Sequence, residues 1–151
     1  MRAGTYAAQK NAAIRGSGCL TIGVMTAIGV AQIDPLSIAA AVMVAIVAAL
    51  HAYFLVLEMF LWRTPFGLRT FRMSREAADS TAVLAGNQGL YNGFLAAGLI
   101  FGLVAGRPVV TFFLLCVIVA GIYGAATVSR RILFVQAVPA AIALALVWLA
   151  K

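Results

Sequence analysis

The sequence predicts an all-α fold, an integral membrane helical bundle of four core transmembrane helices, with a short N-terminal fifth left open. Three observations predict it. Hydrophobic residues make up 64% of the chain and charged residues only 10%, with a mean hydropathy of +1.06; a soluble domain of this size could not cover so much apolar surface. The apolar residues fall into runs of the length that spans a hydrocarbon core of about 30 Å as a helix. Strand-like alternation is absent, and backbone groups in lipid must be satisfied within their own segment or a closed barrel, which leaves helices.

The elements follow in order. The first core span runs from about Ser37 to Trp62 and the second from about Ala82 to Val104. The third begins after Arg107-Pro108 and ends near Val128, and the fourth runs from about Ile132 to Leu149. Pro108 suits the first turn of a helix, where its missing N–H costs nothing. The short breaks after Gly106 and at Ser129–Arg131 force neighbouring helices to run antiparallel. Pro139 should kink the fourth helix or leave a carbonyl free for a neighbour. Ser74 reads as an N-cap with Glu76 in the first turn, so the second helix begins before its apolar part. In the joint 63–80, Arg63, Arg69, Arg72 and Arg75 alternate with Phe66, Leu68, Phe71 and Met73, a pattern suited to an anionic headgroup surface.

Residues 1–35 read as an N-terminal extension and 36–151 as the membrane domain. Arg2, Lys10 and Arg15 precede the apolar run Cys19–Ile33. That run can be a fifth span, a cleaved signal or a tail. The net charge of +7 lies in short clusters between apolar runs rather than along one polar face, which argues against nucleic acid. It fits the positive-inside bias and places 63–80 and 129–131 in the cytoplasm of a multi-pass inner-membrane protein. Cys19 and Cys116 sit in apolar runs without metal-ligand spacing and read as reduced packing residues. No metal or cofactor motif is evident: the chain has one histidine, four acidic residues and no GxxxxGK[ST], HExxH or GxSxG pattern.

A chain that avoids charge nevertheless places His51 and Glu58 on one span. Seven residues apart, they share a helix face, separated by about 10 Å along the axis. His51 falls near the bilayer centre, where both nitrogens of a neutral imidazole need partners. Glu58 falls about one turn from the interface that Trp62 marks. It is either paired with an arginine of the 63–75 joint or protonated in an apolar setting. Ionisable groups in membrane helices are functional candidates by default. The partners on the second helix are Gln88 with Asn92 and Asn87 with Tyr91, each pair at i, i+4; Gln136, Tyr123 and Thr127 can close a cavity around them. Each of these groups is equally readable as interhelical packing. Gly89 and Gly93, then Gly98, Gly102 and Gly106, follow small-xxx-small spacing, as do Ala120 and Gly124. The second helix is therefore central, through packing within the chain or a homo-oligomer.

The blocks "HAYFLVLEMFLWRTPFG", His51 to Gly67, and "LAGNQGLYNGFLAAGLIFG", Leu84 to Gly102, resemble a bacterial membrane family designated domain of unknown function 1304. The resemblance covers roughly Leu36 to Leu149, leaves residues 1–35 outside, and implies a compact four-helix membrane protein without an assigned activity. The topology is also similar to that of small four-helix DoxX-like membrane proteins. Three functions remain open on the sequence: a small transporter or permease of an unidentified molecule or ion, a membrane enzyme acting on a lipid or small apolar molecule, and a structural subunit. Membrane lipid is the expected partner in each.

Overall fold

In the computed structural model, residues 34–150 are described, and the run Cys19–Ile33 lies outside them. Five helices follow one another without strands among the described residues: α1 (Pro35–Met59), α2 (Pro65–Phe71), α3 (Arg75–Ala105), α4 (Arg107–Thr127) and α5 (Val138–Leu149), the last entered through a π-helical turn, Leu133–Ala137. α1, α3 and α4 are each long and apolar enough to cross a membrane; Leu133–Leu149 is a shorter apolar helix.

The helix ends are set by the residues that cap them. Asp34 accepts from Leu36 N–H at 3.1 Å, and Pro35 takes the first turn of α1, two residues before the expected start. Ser74 Oγ accepts from Ala77 N–H at 3.2 Å, with Glu76 in the first turn. α3 accordingly starts seven residues before the expected apolar core of the span. Gly106 ends α3 and opens α4 at φ 103°, a conformation that side chains rarely adopt. With one residue between them, α3 and α4 must run antiparallel. At the fourth span, the Val138 N–H reaches back five residues to the Leu133 carbonyl. The widened turn sits directly before Pro139, which cannot supply the next helical donor. The expected disturbance at Pro139 is therefore a π turn.

α1 packs on α3 and α5, and α4 packs on α3 and α5, so the four long helices close a ring. Every one of them supplies the core: Val44, Val47 and Ala48 from α1, Leu99 from α3, Val110, Leu114 and Val117 from α4, and Ala140 and Ala143 from α5. The glycines divide between two seams. A Cβ on Gly89 would meet Met59 and the Leu55 carbonyl, and one on Gly93 would meet Leu55, so these face α1. On Gly98 or Gly102 it would meet Phe113 or Val110, so these face α4. The small-residue pattern of α3 thus brings two neighbours of the same chain close, and Gly106 serves the turn. Gly124 faces Ile132 across the α4–α5 joint, whereas Ala120 is exposed.

The joint after α1 is folded rather than extended. α1 ends at Met59, before Trp62. Thr64 Oγ1 donates to the Leu61 carbonyl at 2.7 Å and accepts from Gly67 N–H at 3.3 Å, which starts α2. Gly67 is buried against the carbonyls of Leu61 and Trp62. Trp62 lies 4.4 Å from the Phe71 ring centroid and donates to Thr81 Oγ1 at 3.2 Å. These contacts hold α2 to both α1 and α3. The antiparallel ring puts this joint and Arg130–Arg131 at one end of the bundle, and Asp34, Gly106 and Arg107 at the other.

Candidate functional site

Among the described residues, two side-chain contacts link polar groups of α1 to neighbouring elements, and both begin on one face of α1. Asn92 Nδ2 donates to Glu58 Oε2 at 2.7 Å across the α1–α3 seam and to the Gln88 carbonyl at 3.3 Å. Asn92 is buried and Glu58 half-buried. The neighbouring glycines explain how these two side chains meet. Gly89 and Gly93 flank Asn92 and bring the α3 backbone up to Leu55 and Met59, which flank Glu58. The short amide then reaches the carboxylate. Both Asn92 N–H donors are used, while Asn92 Oδ1 and Glu58 Oε1 have no hydrogen-bond partner among the described residues. One amide oxygen is therefore left beside the free oxygen of a half-buried carboxylate.

Of the two readings of Glu58, the pairing with an arginine of the 63–75 joint is not formed. Among the described residues the ion pairs are Arg63–Asp79 at 3.8 Å and Arg75–Asp79 at 3.7 Å, both exposed. Asp79 lies on the same outer surface as those arginines, and Glu58 lies on the seam behind them.

His51 is only 1% exposed. Its Nδ1 lies 2.8 Å from the Val47 carbonyl, and its Nε2 lies 3.4 Å from Gln136 Nε2. A carbonyl only accepts, so Nδ1 carries the proton. An amide nitrogen only donates, so Nε2 accepts. The two contacts together select one neutral tautomer, with the Gln136 amide orientation assigned by the same network. Gln136 lies in the π-helical turn, so the widened turn before Pro139 carries the residue that meets His51. Phe54 packs edge-on against the imidazole at 5.8 Å. Gln136→Leu is expected to lower stability by about 1–2 kcal/mol, because it strands a buried acceptor. Thermal unfolding of the detergent-solubilised chain checks this, and an unchanged midpoint would show that the 3.4 Å contact contributes nothing.

The remaining candidates lie elsewhere. Asn87, Gln88 and Tyr91 are exposed on α3, and only the Gln88 backbone carbonyl takes part in the Asn92 contact. Tyr123 and Thr127 are exposed on α4, and Thr127 Oγ1 donates to the Tyr123 carbonyl. The structure therefore brings together Glu58 with Asn92 and His51 with Gln136, and leaves the other side chains outside. The Val47 carbonyl was not singled out in the sequence, since nothing there marks one carbonyl among many. A cleft of about 330 Å³ opens at the opposite end, lined by Ser37, Ala40, Val44, Gly102, Arg107 and Val147 among others; it touches neither polar contact. Among the described residues no cluster of three or more His, Cys, Asp or Glu side chains is placed to hold a metal. Cys116 is a half-buried free thiol.

The chain matches the family described as "Protein of unknown function (DUF1304)" over residues 45–148, which takes in both polar contacts, the joint, the C-terminal part of α1 and nearly all of the remaining helices. The chain belongs to this family. It is also similar to the "Uncharacterized protein YpaA" of Lactococcus lactis subsp. lactis (strain IL1403), at 31% identity over 96 residues, covering 60% of this chain and 81% of that relative. No solved structure matches it. The sequence resemblance to the DUF1304 family is thus confirmed, and the family's description assigns no activity.

Proposed function

We propose that this DUF1304 protein is a small multi-pass protein of the bacterial inner membrane, with the arginine-rich end in the cytoplasm, and that it acts as a transporter or permease. Glu58 is the group that binds the coupling proton or cation. Three apolar helices of spanning length support the membrane placement. The excess of arginines at the α2 end supports its orientation.

The observation that carries the reading is the Glu58–Asn92 contact. A carboxylate on a spanning helix, held by a neutral amide at 2.7 Å and not by a guanidinium, retains its capacity to take up a positive charge. An ion-paired carboxylate would already be neutralised. The unpaired Asn92 Oδ1 and Glu58 Oε1 would serve as ligands for that charge, and Glu58 lies half-buried near the end of α1. Intramembrane carboxylates commonly mark ion pathways for this reason. His51 has both ring nitrogens engaged, which favours a role in orienting α1 against α5 over acid–base chemistry on a lipid.

The test is flux in liposomes reconstituted with the full chain, under an imposed proton gradient and across a panel of small metabolites and cations. Glu58→Gln keeps the shape and the hydrogen bond with Asn92 but removes the titrating group, and should abolish gradient-driven flux. Wild-type protein that moves no member of a broad panel would overturn the proposal.

A further inference from the structure

The arginine-rich end carries more positive charge than the protein itself uses. Arg63, Arg69, Arg72, Arg75, Arg130 and Arg131 are all exposed there, against the carboxylates of Glu76 and Asp79. Asp79 is shared by Arg63 and Arg75, and the Arg75 guanidinium also donates to the Arg63 carbonyl at 3.5 Å. Glu76 occupies the first turn of α3. Arg69 uses its Nε on the Pro65 carbonyl at 3.3 Å, which leaves its two terminal nitrogens. Among the described residues Arg69, Arg72, Arg130 and Arg131 have no carboxylate partner.

Apolar side chains share this end. Phe60 is 67% exposed, Phe66 48% and Phe71 39%. A water-borne polyanion would satisfy the guanidinium groups and leave the phenylalanines wet. A headgroup layer takes both, since phosphodiesters match the planar guanidinium fork and the rings enter the boundary with the acyl chains. The surface is also held in place. Gly67 seats α2 on the carbonyls at the end of α1, Thr64 caps it, and the Trp62–Phe71 contact with the Trp62–Thr81 bond ties it to α3. Little ordering is then required on binding.

We propose that this end is a docking surface for anionic phospholipid headgroups, centred on Arg69 and Arg72 of the α2 segment and extended by Arg130 and Arg131. The surface rests on the reading that the chain spans a membrane, and not on transport. It selects glycerophospholipids with a net negative phosphodiester over zwitterionic ones, and it fixes the depth of α2, and with it Trp62 and Glu58, relative to the interface.

The test compares spin-labelled phosphatidylglycerol with spin-labelled phosphatidylcholine for association with the full chain in phosphatidylcholine nanodiscs. Wild type should prefer phosphatidylglycerol, less so at high salt. The preference should fall by about fivefold for each of Arg69→Gln and Arg72→Gln. These side chains are exposed, so both variants should keep the wild-type unfolding midpoint; Arg130→Gln with Arg131→Gln supplies a second pair in a different joint. Equal association of the two lipids would overturn the proposal, as would a preference that survives all four substitutions. A preference erased by millimolar inorganic phosphate would assign the surface to a soluble anion instead and overturn the lipid. Release of the chain from membranes by alkaline carbonate would overturn the spanning reading and the docking surface with it. Retention in the membrane without lipid preference would overturn the docking surface alone.

Discussion

Gly67→Ala is expected to lower stability by about 3 kcal/mol, the upper end of what overpacking costs, and to lift α2 from the end of α1. The added Cβ would meet the Leu61 and Trp62 carbonyls, the latter at 2.6 Å. Backbone cannot turn aside as a flexible side chain can, so the α2 backbone must move. Trp62 then loses its contact with Phe71, and the change should appear as altered tryptophan emission together with a lower unfolding midpoint in detergent. Gly86→Ala is the control. Nothing lies within 4 Å of its Cβ position, and alanine is the better helix former by about 1 kcal/mol. Equal midpoints for Gly67→Ala and wild type would show that the joint yields freely and is not seated as described.

The second large effect concerns the α1–α3 seam. Asn92→Leu should cost about 2 kcal/mol, because the Glu58 carboxyl on the seam loses its donor while leucine offers it nothing. Glu58→Gln should cost less, since a glutamine oxygen still accepts from Asn92. Glu58→Leu combined with Asn92→Leu should cost less than the sum of the single changes, by about 1 kcal/mol, because no polar group is left stranded. A double-mutant cycle on unfolding midpoints measures this coupling. Strict additivity would mean that the 2.7 Å contact does not hold the two helices together.

The long helices were legible because their ends carry distinct chemistry: Ser74 accepts at the start of α3, and Gly106 with Pro108 marks the α3–α4 turn. α2 was not. Seven residues give too short a window for helical periodicity, and the arginine–aromatic alternation there looks like an extended surface segment. What folds it is the close approach of Gly67 to two carbonyls, and a sequence does not show which backbone a glycine approaches. Asp34 caps α1, and Asp-Pro before an apolar run is a recognisable helix start.

The site was legible in part. His51, Glu58, Asn92 and Gln136 were recognisable as polar groups in apolar spans, but not as two separate contacts. The i, i+4 pairs Gln88–Asn92 and Asn87–Tyr91 defined two faces of α3 without saying which meets α1. The deciding signal was the company each keeps. Asn92 shares its face with Ala85, Gly89 and Ala96, all buried, and small residues mark a seam where backbones meet. Asn87 and Tyr91 lie near Val83 and Phe94, which are exposed. The arginines of the joint pair with Asp79, four residues from Arg75 on the same outer face, and not with Glu58. The glycine spacing could not reveal that Gly89 and Gly93 serve α1 while Gly98 and Gly102 serve α4.

The most direct test of the central claim, that Glu58 is a working ionisable group and not only a fastening between helices, is proton uptake into liposomes containing the full chain and an internal pH dye, with Glu58→Gln as comparison at matched folding. The expected result is substrate-dependent uptake in wild type and none in Glu58→Gln. Equal uptake by both proteins would contradict it and leave the Glu58–Asn92 contact a structural one.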